Sequence, residues 1–203
     1  MAKDNDQEPD GDSNEGMIHK IAETLMHFVG SIPSSSKELS ETPKVSAQSI
    51  ANAAAIKAAS MAGALALPPG PLGWATILPE IVGVWKIQGQ MVADIAAVFG
   101  KKANLSEEQM LYCLFKHSAA QAVRDLVVRV GERYLVRRAS LKTLQTVAKK
   151  IGVKVTQKAL GKSISRWVPV ISALGVGGYA WYDTANVAKT AIELFESEIS
   201  IEE

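Results

Sequence analysis

Two carboxylates stand where carboxylates are uncommon. Asp94 lies among Met91, Val92, Ile95 and Val98, and Gln90 stands four residues earlier on the same helical face. Asp183 follows Ala180, Trp181 and Tyr182 and has Asn186 three residues on. Two such groups in one helical groove suit an acid/base pair or a small-ligand site, because their surroundings would set their proton affinities apart. They equally suit structural work, as helix caps or as partners of Arg124, Arg129 or Lys86. Asp183 in particular is placed to cap a last helix. The structural assignment is the simpler one, and an enzyme or ligand binder using Asp94 and Asp183 is the alternative function.

Other chemistry-bearing patterns fall short of their motifs. Gly161-Lys162-Ser163 resembles the end of a phosphate-binding loop, but Thr156 stands where the first glycine belongs and the stretch reads as helix. Gly175, Gly177 and Gly178 lack the spacing and the βαβ setting of a dinucleotide fingerprint, and read as close helix contacts. Neither a Gly-x-Ser-x-Gly elbow nor a His-Glu-x-x-His pair occurs. Asn104-Leu105-Ser106 fits a glycosylation sequon but reads as a loop ahead of a helix cap. The single Cys113 excludes an intrachain disulfide framework and a cysteine metal cluster, and fits a reducing compartment. His19, His27 and His117 are too few and too scattered for a metal site. No catalytic residue, metal or cofactor is expected.

The basic residues carry more information. Arg129, Arg133 and Arg137 are four apart, as are Lys150, Lys154, Lys158, Lys162 and Arg166. Four residues advance a helix by roughly 400°, so each run forms a slowly winding stripe. Leu141, Leu144, Val147, Ile151, Val155, Leu160 and Ile164 fill much of the remaining surface. A basic amphipathic helix of this kind suits an anionic lipid surface or an acidic protein partner. Nucleic acid is disfavoured, because no aromatic residue interleaves the basic ones after Tyr134. The competing reading is a solvated face paired with the chain's acidic ends.

These residues must be positioned by the rest of the chain. Of 203 residues, 47% are hydrophobic and 21% charged, enough for a folded core. Aromatics are only 6%, which favours close helix packing. The net charge of +1 excludes a strongly basic nucleic-acid binder, yet it hides a gradient. Residues 1–43 carry −6, residues 124–166 carry +10 and residues 193–203 carry −5. Residues 1–16 are acidic and polar, lack the apolar run of a signal peptide, and are expected to be disordered. Residues 17–45 read as a short amphipathic helix, Met17 to Val29, and a linker.

An alanine-rich helix is expected from Ser46 to Leu67, capped by Ser46 or Ser49. Pro68-Pro69-Gly70-Pro71 breaks it, inside a stretch without charge from Ala58 to Pro79. That pattern predicts a helical hairpin whose Leu65, Leu67, Leu72 and Trp74 either build the core or enter lipid. A helix from Pro79 to Phe99, ended by Gly100, follows. Ser106 and Gln109 form a capping-box pattern for a helix running from Glu107 to about Val136, with room for a break near Gly131. Helix then continues from Ser140 to Arg166, interrupted at Gly152 and Gly161. An uncharged run from Trp167 to Tyr182 precedes a last helix, Asp183 to Glu198, with Val187, Ala188, Ala191, Leu194 and Phe195 as its apolar stripe. Leu126–Val130 and Val153–Val155 are rich in β-branched residues but sit inside helical patterns, so the expected fold is all-α, a multi-helix bundle over residues 46–198 with an acidic end at 199–203.

Two blocks resemble a known family. Leu67-Pro-Pro-Gly-Pro-Leu-Gly-Trp-Ala-Thr-Ile-Leu-Pro-Glu80 with Gln88-Gly-Gln-Met-Val-Ala-Asp-Ile-Ala-Ala-Val-Phe-Gly100, and Val168-Pro-Val-Ile-Ser-Ala-Leu-Gly-Val-Gly-Gly-Tyr-Ala-Trp-Tyr-Asp-Thr-Ala185, resemble the EcsC protein family. The resemblance covers roughly residues 46–197. The chain is also similar to the helical membrane-associated domains of some bacterial GTPases. The resemblance implies a bacterial protein of helical architecture close to a membrane, and supplies no catalytic residues. The expected function is non-enzymatic: cytoplasmic, peripheral to the inner membrane, in contact with its anionic surface, and accessory to a transporter or envelope system.

Overall fold

A computed structural model describes residues 11–65, 73–162 and 169–202. Helix dominates: α1 (Gly11–Val29), α2 (Pro43–Leu65), α3 (Gly73–Val98), α4 (Glu107–Phe115), α5 (Ala120–Val123), α6 (Leu141–Lys162) and α7 (Pro169–Glu196). The expectation of a predominantly α-helical fold is met, with one addition. Strands β1 (Val127–Val130), β2 (Arg133–Arg137) and β3 (Glu198–Glu202) form a small sheet in that order.

The sheet corrects the helix expected through residue 136. Val127, Val128 and Val130 are stiff, β-favouring side chains, and the two residues after them make a tight turn. Gly131 has φ +64°, a conformation open to glycine without penalty, and it joins β1 to β2 in the antiparallel register Val130↔Arg133. The acidic chain end, read as a bare terminus, instead lies parallel to β2, with Arg133 opposite Glu198 and Arg137 opposite Glu202.

The apolar stripe of α1, Ile21, Leu25 and Val29, is fully buried in the main core with Leu144, Ala148 and Ile151 of α6. The helix begins at Gly11, six residues ahead of the expected Met17. Two observations make α1 and α6 antiparallel. A Cβ at Gly152 would lie 2.9 Å from the Ile18 carbonyl oxygen. At the other end, Gly30 lies near Glu107 while the adjacent Glu108 accepts a hydrogen bond from Ala139 N–H at 2.9 Å, just before α6 begins. Gly152 therefore does not interrupt α6; it lets the two backbones approach. Ser140 caps α6, its Oγ accepting from Thr143 N–H at 3.3 Å.

The alanines of α2 form the stripe Ala47, Ala51, Ala55, Ala58 and Ala62, all buried. Small side chains let α7 pack closely, and a Cβ at Gly177 would lie 3.0 Å from the Ala59 carbonyl oxygen. Gly175 and Gly178, read with Gly177 as contact glycines, have nothing within that range. The α2 helix starts at Pro43, before both expected caps; Thr42 C=O accepts the first helical bond from Ser46 N–H at 3.1 Å. In α3, Pro79 is inside the helix rather than at its start. Gly100 ends it as expected: φ is +71°, Lys101 N–H bonds Ala96 C=O at 2.7 Å and Gly100 N–H bonds Ala97 C=O at 2.9 Å. The capping box at Ser106 and Gln109 is present in α4, whose residues from Glu108 to Phe115 are all buried. The uncharged run and last helix expected after Trp167 are one continuous α7 from Pro169, with Val187, Ala188, Ala191, Leu194 and Phe195 buried.

Candidate functional site

The arginines expected on one helix face lie on the β-hairpin instead. Arg133 and Arg137 are on one face of β2, and Arg129, paired with Tyr134, is on the opposite face of the sheet. Arg133 Nε is 2.9 Å from Glu198 Oε2 and Arg137 Nε is 3.0 Å from Glu202 Oε2. Each is therefore neutralised by the acidic chain end. Arg129 donates to Gly131 C=O at 3.2 Å, and its guanidinium lies 5.9 Å from the Tyr134 ring centre.

The lysines are on a helix, and their surroundings differ. Leu144, Val147, Ala148 and Ile151 face the core, which turns Lys142, Lys149, Lys150 and Lys154 outward, all exposed. The whole of α6 contains no acidic residue. Among the described residues no carboxylate lies within ion-pair reach of these four lysines, whereas Lys44 pairs with Glu196 and Lys116 with Glu193. Lys150 and Lys154 belong to the four-residue stripe expected from the sequence; Lys142 and Lys149 fall outside that spacing and join the same exposed face. The backbone of Lys158 and Lys162 continues α6, their side chains lying outside the described residues together with Arg166. Leu67 and Leu72 of the apolar hairpin, and the side chains of Leu65 and Trp74, lie outside them too. No described helix is long and apolar enough to cross a membrane.

Asp94 and Asp183 both attach to α3, but not to each other. Asp94 Oδ1 accepts from Ser35 Oγ at 2.6 Å and from Gln90 Nε2 at 2.9 Å. Gln90 also donates to Ser34 C=O, and Lys102 Nζ to Ser35 C=O. This set fastens the segment after α1 to the end of α3. Asp183, in the interior of α7 rather than at a helix start, faces His117 Nε2 at 2.7 Å and accepts from Gln88 Nε2 at 2.8 Å. Gln88, 1% exposed, also donates to Thr184 Oγ1 at 3.2 Å. Gln88 and Asp94 are six residues apart on α3, which separates them by about 120° around the axis. The two carboxylates thus serve different sides of α3. The partners expected for them, Arg124, Arg129 or Lys86, are replaced by Ser35, Gln90, Gln88 and His117. A groove of about 340 Å³ between α2 and α7 is lined by Ala51, Ala55, Trp181, Ala188 and Glu193, and by neither carboxylate.

A second polar cluster joins α4 to α7 and β2. Lys116 Nζ lies 5.3 Å from the Tyr112 ring centre and 3.4 Å from Glu193 Oε2, and Tyr112 meets Tyr134 edge-on at 6.3 Å. Burial raises the Tyr112 hydroxyl above its ordinary range, with Lys116 pulling the other way. Against its own burial, the Lys116 ammonium is held high by Tyr112, Tyr134 and Glu193. Cys113 beside them is fully buried, which pushes its thiol far up and leaves it inert. Compared with models of protein families, with curated proteins and with solved structures, the chain matches none of them.

Proposed function

We propose that this is a non-enzymatic, EcsC-like helical protein that associates with the anionic cytoplasmic face of a bacterial membrane through α6, as an accessory to a transporter or envelope system. One observation carries the reading. Arg133, Arg137, Lys44 and Lys116 have carboxylate partners, while the exposed Lys142, Lys149, Lys150 and Lys154 have none among the described residues. Four lysines gathered on one helix with no carboxylate partner among the described residues suit an external anion, and each contributes about 1 kcal/mol near an anionic membrane surface. The opposite face of α6 is locked into the core, so the helix presents its charge without having to leave the fold. The association is peripheral, and the apolar segment holding Leu67, Leu72 and Trp74 either builds the core or enters lipid beside it.

Flotation with neutral vesicles and with vesicles containing phosphatidylglycerol tests it. The protein floats only with the anionic vesicles, and reversing the charge of Lys150, Lys154, Lys158 and Lys162 releases it while circular dichroism stays unchanged. Unaltered flotation of the folded variant overturns the reading. Asp94 and Asp183, held on different sides of α3, give no support to a shared ligand site.

A further inference from the structure

The strand that answers the β2 arginines is held lightly. β3 lies at the edge of the sheet, paired with β2 on one side only. Of its five residues only Ile199 is half-buried against the core, and Glu198, Ser200, Ile201 and Glu202 are exposed. The helix before it is fixed, with Leu194 and Phe195 fully buried, so Ser197 alone joins an anchored α7 to β3. A strand that buries so little apolar surface opens at a small fraction of the cost of unfolding the core.

Charge sets this strand against its neighbour. In the parallel register Arg133 stands opposite Glu198 and Arg137 opposite Glu202, and all four side chains are more than half exposed. At such exposure an ion pair contributes little and weakens as salt rises. The guanidinium fork also grips phosphate oxygens in pairs, so a surface crowded with phosphates competes for the same groups. The arginines do not stand alone. Arg138 follows, exposed, with no carboxylate on its side chain among the described residues, and its N–H donates to Glu202 C=O at 3.2 Å. Ser140 then caps α6, and Lys142 is the first of its lysines. β2 thus leads directly into the lysine helix.

We propose that Arg133 and Arg137 form a second anion-binding surface, that β3 covers it, and that an anionic lipid surface displaces β3 by taking its arginines. Lifted at Ser197, the strand uncovers a basic run from Arg133 to Lys142 that extends the α6 contact. The lipid step rests on the proposed membrane role of α6, whereas the release of β3 does not.

Two measurements on the full chain separate these. The first is hydrogen exchange without lipid. Residues 198–202 are expected to exchange at least about tenfold faster than the β1–β2 hairpin at low salt, and faster again at high salt while the hairpin is unchanged. Exchange as slow as the hairpin's, or indifferent to salt, overturns the release. The second is binding to phosphatidylglycerol vesicles by Glu198→Gln/Glu202→Gln. This variant is expected to bind at least about fivefold more tightly than wild type, and adding Arg133→Gln/Arg137→Gln is expected to remove the gain. The control Glu38→Gln/Glu41→Gln changes the net charge equally at exposed carboxylates outside the sheet, and is expected to gain less than about twofold. No gain, an equal gain in the control, or a gain that survives loss of the arginines overturns the lipid step. If residues 198–202 open as expected and no variant binds vesicles, the release stands and the lipid step fails together with the membrane role of α6.

Discussion

Asp94 is a fastening residue. Its carboxylate takes the Ser35 hydroxyl, itself 4% exposed, and the Gln90 amide, and so ties the segment after α1 to α3. Asp94→Ala leaves Ser35 buried without its acceptor and should cost about 1–3 kcal/mol in denaturant unfolding. Asp94→Asn, which keeps an acceptor oxygen, should cost less than the alanine variant; equal losses would assign the stabilisation to charge rather than to hydrogen bonding. That an Asp among Met91, Val92 and Ile95 needs a partner is legible in the sequence. The partner is not, because Ser35 is 59 positions away and a lone serine carries no signal of its destination. The same holds for His117, whose pairing with Asp183 depends on where the loop after α4 meets α7. At this scale pH also reports on the fold. Cys113, Tyr112 and Lys116 all hold their protons more tightly when folded than in an unfolded chain, where such groups titrate near 9.0, 10.0 and 10.5. Their contribution to stability is complete below the unfolded values and lost as pH rises past them. The melting temperature should therefore fall above about pH 9, and Cys113 should react with a thiol reagent only as the protein unfolds. A thiol that reacts fully in the native state would contradict the burial.

The elements that periodicity defines best are those with a one-sided apolar stripe. The stripe of α1 and the Val187-to-Phe195 stripe of α7 are buried as their spacing requires. The hairpin was hidden by a degeneracy. A spacing of four residues returns to nearly the same face of a helix, and being even it returns to the same face of a strand. Arg133 and Arg137 therefore fit both periods. The distinguishing signal was local: three valines, then Gly131-Glu132, then alternating Tyr134 and Val136, which are buried beside exposed Arg133 and Arg137. β3 had no comparable signal, since its five residues are ordered by pairing with a strand 65 positions earlier. The contact of α1 with α6 gives a test at this scale. Gly152→Ala raises intrinsic helix propensity by about 1 kcal/mol, but its methyl would meet the Ile18 carbonyl oxygen at 2.9 Å. The variant should lose about 1–3 kcal/mol of unfolding free energy. A gain would show that α1 does not press on α6 there.

Across the whole molecule, the charge gradient seen in the sequence divides into two parts. The acidic end at 198–202 answers the arginines of β2 through Arg133–Glu198 and Arg137–Glu202, so part of the basic excess is satisfied internally. These pairs are exposed and stabilise the fold by no more than about 1 kcal/mol each, but they occupy the arginines. The largest share of what remains in that region lies on α6, whose six lysines have no acidic residue on their own helix. Sequence alone could not make this division, because which acid meets which base depends on β3 returning beside β2. The proposed membrane contact follows from what is left over, and its electrostatic origin fixes how it must respond to salt and lipid charge. The most direct measurement is the affinity of wild type and of Lys150→Gln/Lys154→Gln for phosphatidylglycerol vesicles across a range of ionic strength. Wild-type affinity should fall steadily as salt rises, and the variant should bind about 10- to 30-fold more weakly at low salt with a flatter dependence. A variant that binds like wild type, or binding indifferent to salt and lipid charge, would contradict the account.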